Sequence, residues 1–431
     1  MNRPSAAPFA AQRLRPQSRS TRRQPTPASS ALVLITGLWL AAPSLSADDW
    51  PRWRGPDMTG LSREKGWTAD WPKEGPKLLW RANVATGFSA VAVAQGCLFT
   101  LGNSNETEIV WCLDAATGRQ LWRHSYACPS DPQYHEGGPG ATPTLDGARV
   151  YTLGKRGHLF CLEAATGKVV WQRNVTNELG AVKPRWGFAG SPLFVGDLLI
   201  LNAGAAGGAL DRQTGKAVWN SGTNAAGYAT PVPYSADGER CVAIFAAKAL
   251  VGVRVRDGRV LWRHPWETKW DINAVDPIPV GQRFFVSSFD RGGALLDVSD
   301  RPPKIVWENR EMLNNFNSCV HLNGFLYGVN GHFDHPYRDL RCLDAATGEV
   351  KWKYESLGLG SLMAADGKLI VLSDKGELVV AEATPIGFKP LARAHVLGGK
   401  CWTVPVLANG RIYCRNATGT LICLDVRGTG R

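Results

Sequence analysis

A nearly identical seven-residue stretch occurs three times in this chain, as CLDAATG at 112–118, CLEAATG at 161–167 and CLDAATG at 342–348. Divergent copies lie between and after these. Tryptophans recur beside the copies at intervals of about 45 residues, the length of one four-stranded propeller blade: Trp122, Trp171, Trp219, Trp262, Trp307 and Trp352. Because a catalytic motif is normally present once, the repetition assigns this stretch to the architecture of the chain.

The repeated stretch predicts a hairpin turn between two strands of each blade. An Asp side chain can accept hydrogen bonds from the backbone of such a turn, and Gly tolerates its left-handed position. The tryptophan then falls on the fourth, outermost strand, where its ring can cover the edge of the neighbouring blade. The acidic residues of the turns are therefore interpreted as structural: Asp114, Glu163, Asp211, Asp344 and Asp425.

The two ends of the repeat region each lack part of a blade. Residues 76–84, PKLLWRANV, look like an outer strand with no three strands before it, and LICLDV at 421–426 is followed by no outer strand. Pairing these two segments would close the ring and leave no free edge. The sequence therefore predicts an all-β, eight-bladed β-propeller of four-stranded antiparallel blades over 76–431, closed by its N-terminal strand.

The segment before the ring has two parts. Residues 1–47 contain six arginines and then the short apolar core ALVLITGLWLAA, which predicts a signal peptide cleaved after Ala47; the alternative is an uncleaved anchor. Either way we expect the body to be exported, periplasmic or extracellular, with no transmembrane span after signal removal. Residues 48–75 carry four tryptophans among prolines and glycines, and we expect an extended strap packed across the propeller.

Charge and cysteine content narrow the function classes. The net charge of +12 is halved when the arginine-rich residues 1–47 are removed, and no basic run interleaved with aromatics remains, so we do not expect nucleic-acid binding.

Four of the ten cysteines occupy one equivalent position in separate repeats and are predicted to be small buried residues: Cys112, Cys161, Cys342 and Cys423. The others remain open to disulfide pairing: Cys97, Cys128, Cys241, Cys319, Cys401 and Cys414.

The pattern ALDxxTGxxxW, repeated in eight blades, resembles the pyrroloquinoline-quinone (PQQ) repeat and covers essentially all of 76–431. The resemblance implies one of two functions: a quinoprotein dehydrogenase, with PQQ and calcium in the central funnel, or a cofactor-free scaffold like the outer-membrane assembly component BamB. The chain has no adjacent cysteine pair of the kind that caps the quinone in alcohol-oxidising members, and its blades are compact. WPRWRGP and RWGFAGSP resemble uncharacterised exported propellers grouped with the scaffold branch.

A small polar residue stands at the start of each predicted innermost strand, where the central channel opens as a funnel. These residues are Ser89, Thr142, Ser191, Thr230, Asp276, Ser318, Ser361 and Thr403. They either line the funnel mouth or merely start a strand, as Ser and Thr before Pro often do. Asp276, the one carboxylate, would be catalytic in a quinoprotein, together with Asp271.

Aromatic and charged residues just ahead of these positions make a candidate ligand site on the funnel face. It comprises Arg185, Trp186, Tyr228, Lys269, Trp270, Asn273, Asn315, Phe316, Lys400 and Trp402. A flat polar ligand or a peptide could stack on the rings while Arg185 and Lys269 meet a carboxylate. The alternative is that the aromatics pack the funnel shut or hold the strap.

A further loop, NGHFDHPYRD at 330–339, could hold a metal ion through His332, Asp334 and His335; the alternative is a polar surface loop, which has the same composition. The leading hypothesis is a non-enzymatic, monomeric, exported scaffold that binds an envelope protein or a small polar ligand on its funnel face, with no cofactor. The alternative is a PQQ- and calcium-dependent oxidoreductase.

Overall fold

The computed structural model describes residues 49–133, 135–224, 226–335 and 337–428. The predicted signal peptide at 1–47 lies outside these ranges. The strands within them are β1 (Leu61–Ser62), β2 (Lys77–Asn83), β3 (Ala92–Ala94), β4 (Cys97–Ser104), β5 (Thr107–Asp114), β6 (Gln120–Ala127), β7 (Thr144–Asp146), β8 (Arg149–Leu153), β9 (His158–Glu163), β10 (Val169–Asn174), β11 (Leu193–Val195), β12 (Leu198–Leu201), β13 (Gly208–Asp211), β14 (Ala217–Asn220), β15 (Val232–Ala236), β16 (Glu239–Ala246), β17 (Ala249–Arg254), β18 (Val260–Pro265), β19 (Ile278–Val280), β20 (Arg283–Ser288), β21 (Gly292–Asp297), β22 (Lys304–Asn309), β23 (Val320–Leu322), β24 (Phe325–Asn330), β25 (Asp339–Asp344), β26 (Val350–Glu355), β27 (Ser361–Ala365), β28 (Lys368–Leu372), β29 (Glu377–Glu382), β30 (Pro390–His395), β31 (Val406–Ala408), β32 (Arg411–Arg415) and β33 (Thr420–Asp425).

Helix is almost absent from the described residues. They contain one short helix, α1 (Val175–Glu178), and one 3₁₀ turn at Lys269–Asp271. In these same ranges no helix has the length and apolar character needed to cross a bilayer.

The described strands form eight antiparallel blades, which confirms the predicted architecture. Blades 1 to 7 are β3–β6, β7–β10, β11–β14, β15–β18, β19–β22, β23–β26 and β27–β30, and blade 8 is β31–β33 with β2 as its outer strand. Strand β2 pairs antiparallel with β33, in a register that sets Lys77 opposite Asp425 and Asn83 opposite Thr420. The predicted closure is therefore present. The hydrophobic core lies mainly between blades, since each cluster of buried side chains draws on neighbouring blades.

In six of the eight blades the repeated tryptophan docks on the next blade, as predicted, and the outer strand of blade 7 has no tryptophan. The Trp122 indole N–H of blade 1 donates to the Ala164 carbonyl in the turn of blade 2 (2.8 Å), and its ring lies on Gly167 of that turn. A Cβ at Gly167 would come within 2.5 Å of the ring, and the backbone φ there is +72°, so both packing and conformation require glycine. Trp80 makes the same contacts from blade 8 to blade 1.

Blade 4 is an exception to this docking. Trp262 donates instead to the Tyr234 hydroxyl of its own blade (2.9 Å). The following turn, at 297–303 in blade 5, contains two prolines and no glycine on which the ring could rest.

The acidic residues of the turns are structural, as predicted. Asp114 Oδ1 accepts hydrogen bonds from the backbone of Ala116 (3.0 Å) and from the backbone and hydroxyl of Thr117 (both 2.8 Å). The four repeat cysteines are fully buried, which also confirms their interpretation. All ten cysteines lie in the described ranges and are free thiols there, so the six left open do not pair.

A buried arginine locks the closed ring. Arg415 of blade 8 is 1% exposed, and its guanidinium donates to the carbonyls of Ala85 (2.9 Å), Ser89 (2.7 Å) and Leu101 (2.7 Å) and to the Thr100 hydroxyl (2.8 Å). These acceptors lie in blade 1 and in the link that leads to it from β2. The arginine therefore binds together the two parts of the chain that meet at the closure.

The N-terminal segment, residues 49–75, runs along the inner strands of several blades. The backbone of Trp50 exchanges two 2.8 Å hydrogen bonds with Val93 in blade 1, and β1 adds in parallel to β27 of blade 7. Arg54, which is 6% exposed, donates to the Cys319 carbonyl ahead of blade 6 (2.9 Å). Trp67 forms an antiparallel bridge with Arg427. The segment thus contacts the ring at widely separated blades.

Candidate functional site

A cavity of about 490 Å³ opens on the funnel face, within the size range of ligand sites. Its lining comes mostly from the residues that precede the innermost strands, because those connections converge at one end of the central channel. Aromatic side chains dominate it, among them Trp53, Phe88, Trp186, Trp270, Phe316 and Trp402.

The floor of the cavity is a contact between the N-terminal segment and Asp276. The Trp53 indole N–H donates to Asp276 Oδ2 (2.5 Å), and Arg54 Nε lies 3.8 Å from the same oxygen. The other oxygen, Oδ1, accepts from the Thr230 backbone (2.8 Å). Burial raises the pKa of Asp276, whereas Arg54 and these N–H donors favour its charged form. Both carboxylate oxygens therefore have a partner within the chain.

Five of the eight predicted small polar residues link neighbouring blades, from blade 2 to blade 6. The Thr142 backbone N–H donates to Ser191 Oγ (2.9 Å), Ser191 N–H to Thr230 Oγ1 (3.0 Å), Thr230 N–H to Asp276 and Asp276 N–H to Ser318 Oγ (2.9 Å). Each step runs from one blade to the next in the same direction. Asp276 replaces a hydroxyl in this series and uses its additional oxygen to hold Trp53.

One wall of the cavity is a group of three rings. Trp402 lies 5.7 Å from Phe88 at an interplanar angle of 27°, and 4.5 Å from Phe316 at 36°. His135 meets Phe88 edge-on at 5.2 Å. These rings offer flat apolar surface to a ligand.

The opposite wall carries a stacked arginine. The exposed Arg185 guanidinium lies 5.0 Å from the Trp186 ring, and Trp186 meets Tyr228 edge-on at 6.0 Å. Burial raises the pKa of Tyr228 to about 12, so its hydroxyl is a neutral group at physiological pH. Arg185 is thus a positive charge held flat at the rim.

Trp270 also lies at the rim, in a conformation that is unusual for a bulky residue. Its φ is 63°, in the left-handed region, and Asp271 after it has a φ of 57°. The ring is 48% exposed and lies 4.3 Å from Lys269 Nζ. Local backbone strain that presents an exposed aromatic ring at a cavity mouth is typical of binding sites.

Two histidines line the cavity as neutral hydrogen-bond donors. The Nδ1 atom of His135 accepts from the Gly137 backbone (3.0 Å) and that of His332 from the Asp334 backbone (3.2 Å), so in the neutral rings the proton lies on Nε2. Burial, with Lys155 nearby, lowers the pKa of His135 to about 4, and burial lowers that of His332.

Several residues of the predicted ligand site do not line the cavity. Asn273 is fully buried, and its amide donates to the carbonyls of Ala246, Ala247 and Trp266 at 2.9–3.1 Å. Lys400 pairs with Glu136 (2.9 Å), while Lys269 and Asp271 lie outside the lining. The lining does include Arg185, Trp186, Tyr228, Trp270, Asn315, Phe316 and Trp402.

The structure does not assemble the predicted metal loop into a ligand set. His332 Nδ1 lies 3.7 Å from Asp334 Oδ2 and already accepts a backbone N–H, while His335 is exposed. Within the described ranges, no group of three or more His, Cys, Asp or Glu side chains is placed to hold a metal ion.

Phe88, Trp53 and His135 are lining residues that sequence reasoning missed. Phe88 stands directly before Ser89, as Trp402 stands before Thr403, so the alignment of blade starts contained the signal. Trp53 comes from outside the repeats, and His135 from a long inter-blade connection. No periodic signal marks either of them.

Comparison with known proteins gives a family match over most of the chain. A family described as outer membrane protein assembly factor BamB matches residues 106–354 and 338–431. No protein of curated function matches the sequence.

Solved structures share the fold at low identity. The quinohemoprotein alcohol dehydrogenase from Comamonas testosteroni has a TM-score of 0.70 at 16% identity, over 89% of this chain and 81% of that one. BamB from Moraxella catarrhalis has a TM-score of 0.61 at 16% identity, over 81% and 99%. A europium-containing methanol dehydrogenase has a TM-score of 0.67 at 12% identity, over 88% and 90%. Both enzymes and an assembly factor are therefore similar to this fold, which alone does not choose between them.

Proposed function

The chain belongs to the outer membrane protein assembly factor BamB family, and from that membership we propose that it is an exported, non-enzymatic binding scaffold of the cell envelope. Its ligand or partner binds in the funnel-face cavity. The arginine-rich, then apolar, residues 1–47 support export to the periplasm or cell exterior. We take the protein to act as a monomer, because β2 completes blade 8 and leaves β33 with no unpaired edge for a second copy.

The engagement of Asp276 carries this proposal. It is the one carboxylate in the series of inter-blade hydrogen bonds, and both of its oxygens are bonded within the chain, next to the Arg54 guanidinium. Each carboxylate oxygen keeps a further acceptor site, but at 3% exposure these sites are poorly accessible to a group in the cavity. Asp276 therefore supports the structure of the cavity floor rather than chemistry within the cavity.

The cavity itself supports binding. Its aromatic walls resemble the apolar core of an interface, and the exposed Arg185 and Trp270 at its mouth are residue types that often dominate binding energy. His135 has no carboxylate partner among the described residues that would orient it as a catalytic base. His332 has one such neighbour, Asp334, whose side chain is exposed. These features favour recognition over turnover.

A PQQ- and calcium-dependent oxidoreductase is the second candidate, and the resemblance to the two dehydrogenase structures favours it. The residues present do not fit the cofactor pair. Calcium takes six to eight oxygen ligands, whereas no described cluster of acidic side chains stands in the cavity. At Asp276 the positive charge that a calcium ion would supply is already supplied by Arg54.

One experiment separates the two candidates. The purified mature protein is mixed with PQQ and calcium, and its absorbance spectrum, thermal shift and dye-linked oxidation of alcohols and sugars are measured. We expect no stoichiometric quinone spectrum and no turnover.

A second experiment looks for the partner. A photo-crosslinking amino acid at Trp270 should capture an envelope component, whereas one at the exposed Lys65 of the N-terminal segment should not. Quinone binding with turnover would overturn the scaffold proposal.

A further inference from the structure

Of the charged side chains that line the cavity, one is neutralised by a neighbouring charge and two are not. Among the described residues, its charged lining side chains are Arg185, Asp276 and Asp334. Asp276 is compensated by Arg54. Arg185 contacts the Trp186 ring and forms no ion pair with a described carboxylate. Asp334 is 72% exposed, and its described ionic neighbour is His332 at 3.7 Å, which burial keeps neutral near pH 7.

The two uncompensated charges lie on different sides of the mouth. Arg185 belongs to the connection from β10 to β11, which enters blade 3, and Asp334 to the connection from β24 to β25 within blade 6. Three blades in a ring of eight separate these positions by more than a quarter of the circle, with the aromatic walls between them. The mouth therefore has a cationic side and an anionic side above an apolar interior.

The interior also offers hydrogen bonds that the chain leaves unused. The Thr403 hydroxyl is in the lining, its residue is 4% exposed, and it has no partner among the described residues. The Nε2–H groups of His135 and His332 are further donors. A ligand that fits must therefore combine an apolar ring, carbonyl-like acceptors, one negative end and one positive end.

We infer that the cavity binds a short peptide with free termini and an aromatic side chain, its carboxylate facing Arg185 and its amino group facing Asp334. The aromatic side chain packs against Trp402, and the peptide carbonyls accept from the free donors. Asp334 would repel a polyanion, and Arg185 would repel a cationic ligand, so neither ligand matches both sides of the mouth. A neutral sugar would use neither charge. This inference rests on the proposed function and specifies the ligand.

The test uses isothermal titration of the mature protein with Ala-Phe-Ala, its N-acetylated form, its C-terminal amide and Ala-Ala-Ala. We expect each terminal cap to weaken binding about fivefold, the size of one solvent-exposed ion pair. Ala-Ala-Ala and the variant Trp402→Leu should both bind at least about tenfold more weakly, because they lose a buried aromatic contact.

Two variants assign the ends of the peptide. Arg185→Gln should bind the acid and the amide equally while still discriminating against the acetylated form, and Asp334→Asn should show the reverse. Lys65→Gln and Glu355→Gln, exposed positions away from the cavity, are the charge-matched controls and should bind as wild type. Thermal unfolding checks that all variants are folded.

The outcomes distinguish the inference from the proposed function. Equal affinity for capped and free peptides would overturn the inference, as would failure of all peptides while another envelope component binds in a Trp402-dependent manner. In that second case the scaffold function survives. If PQQ with calcium binds and turns over while the peptides do not, both are overturned.

Discussion

Among substitutions in the N-terminal segment, removal of the buried Arg54 guanidinium should be one of the most destabilising. In Arg54→Met the apolar stem remains, but Asp276, which is 3% exposed, keeps a negative charge with no cationic neighbour. Breaking a buried ion pair from one side costs about 3–5 kcal/mol. The variant also loses the hydrogen bonds to the Met58, Thr59 and Cys319 carbonyls. We expect a loss of about 4 kcal/mol in the free energy of unfolding at pH 8, measured by denaturant titration.

The loss should depend on pH in a defined direction. Burial raises the pKa of Asp276, and without Arg54 to oppose it the folded-state pKa rises further above the unfolded value. A carboxyl group with a raised folded-state pKa contributes stability at low pH that is lost as the pH rises through that pKa. The deficit of Arg54→Met should therefore be smaller at pH 5 than at pH 8, by about 1.4 kcal/mol for each unit, within this pH range, by which the folded-state pKa of Asp276 in the variant exceeds that in the wild type.

A double variant completes the argument. Arg54→Met with Asp276→Ser removes both charges and keeps a hydroxyl for the Thr230 N–H, as Ser191 does for the Thr142 N–H two blades earlier. It should regain most of the lost stability. Arg63→Met, at an arginine of the same segment that is 62% exposed, is the matched control and should change stability by less than about 0.5 kcal/mol. A deficit that is equal at pH 5 and pH 8, and that the double variant does not reduce, would refute the charge-pair account.

Three other perturbations have expected outcomes. Arg415→Met should lose about 3 kcal/mol in the free energy of unfolding, because its acceptors are left buried and unpaired. We expect a lowered thermal midpoint and earlier proteolysis of β2. An unchanged midpoint would contradict the role of Arg415 in holding the ring closed. The pKa of His135 is lowered to about 4, below its unfolded value, so wild-type stability should fall as the pH drops from about 6.5 toward 4. His135→Asn should reduce that slope in pH-dependent thermal unfolding, and an identical slope would exclude the contribution. Trp122→Leu should cost about 3 kcal/mol in denaturant titration by removing the ring that covers Gly167, whereas Leu121→Ala on the exposed face of the same strand should cost little.

The fold was largely predictable because its signals repeat. The turn stretch, the tryptophan interval and the unmatched segments at the two ends of the ring led directly to eight blades and to the β2–β33 pairing. Each of these depends on local turn chemistry or on a period, which a single sequence displays. The failure of Trp262 to dock on the next blade was also readable in principle, since the turn at 297–303 lacks glycine.

The site was predictable only in part. Residues directly before the innermost strands, such as Trp402 and Phe316, could be placed at the cavity from their position in the repeat. Asn273 could not, because whether such a side chain points into the channel or back into its own loop depends on tertiary carbonyl partners. Trp53 could not either, since it lies in a segment with no periodicity and reaches Asp276 across 223 positions of sequence.

The pairing of β2 with β33 also has a consequence for the order of events during synthesis. Of the strands that build the eight blades, the one at 77–83 is synthesised first and its partner at 420–425 last, so the early strand waits unpaired until the rest of the ring is available. A chain that ends prematurely leaves Lys77–Asn83 without a partner and Arg415 or its acceptors unmatched. Circular closure thereby makes the pairing of the first blade strand depend on synthesis of the last one.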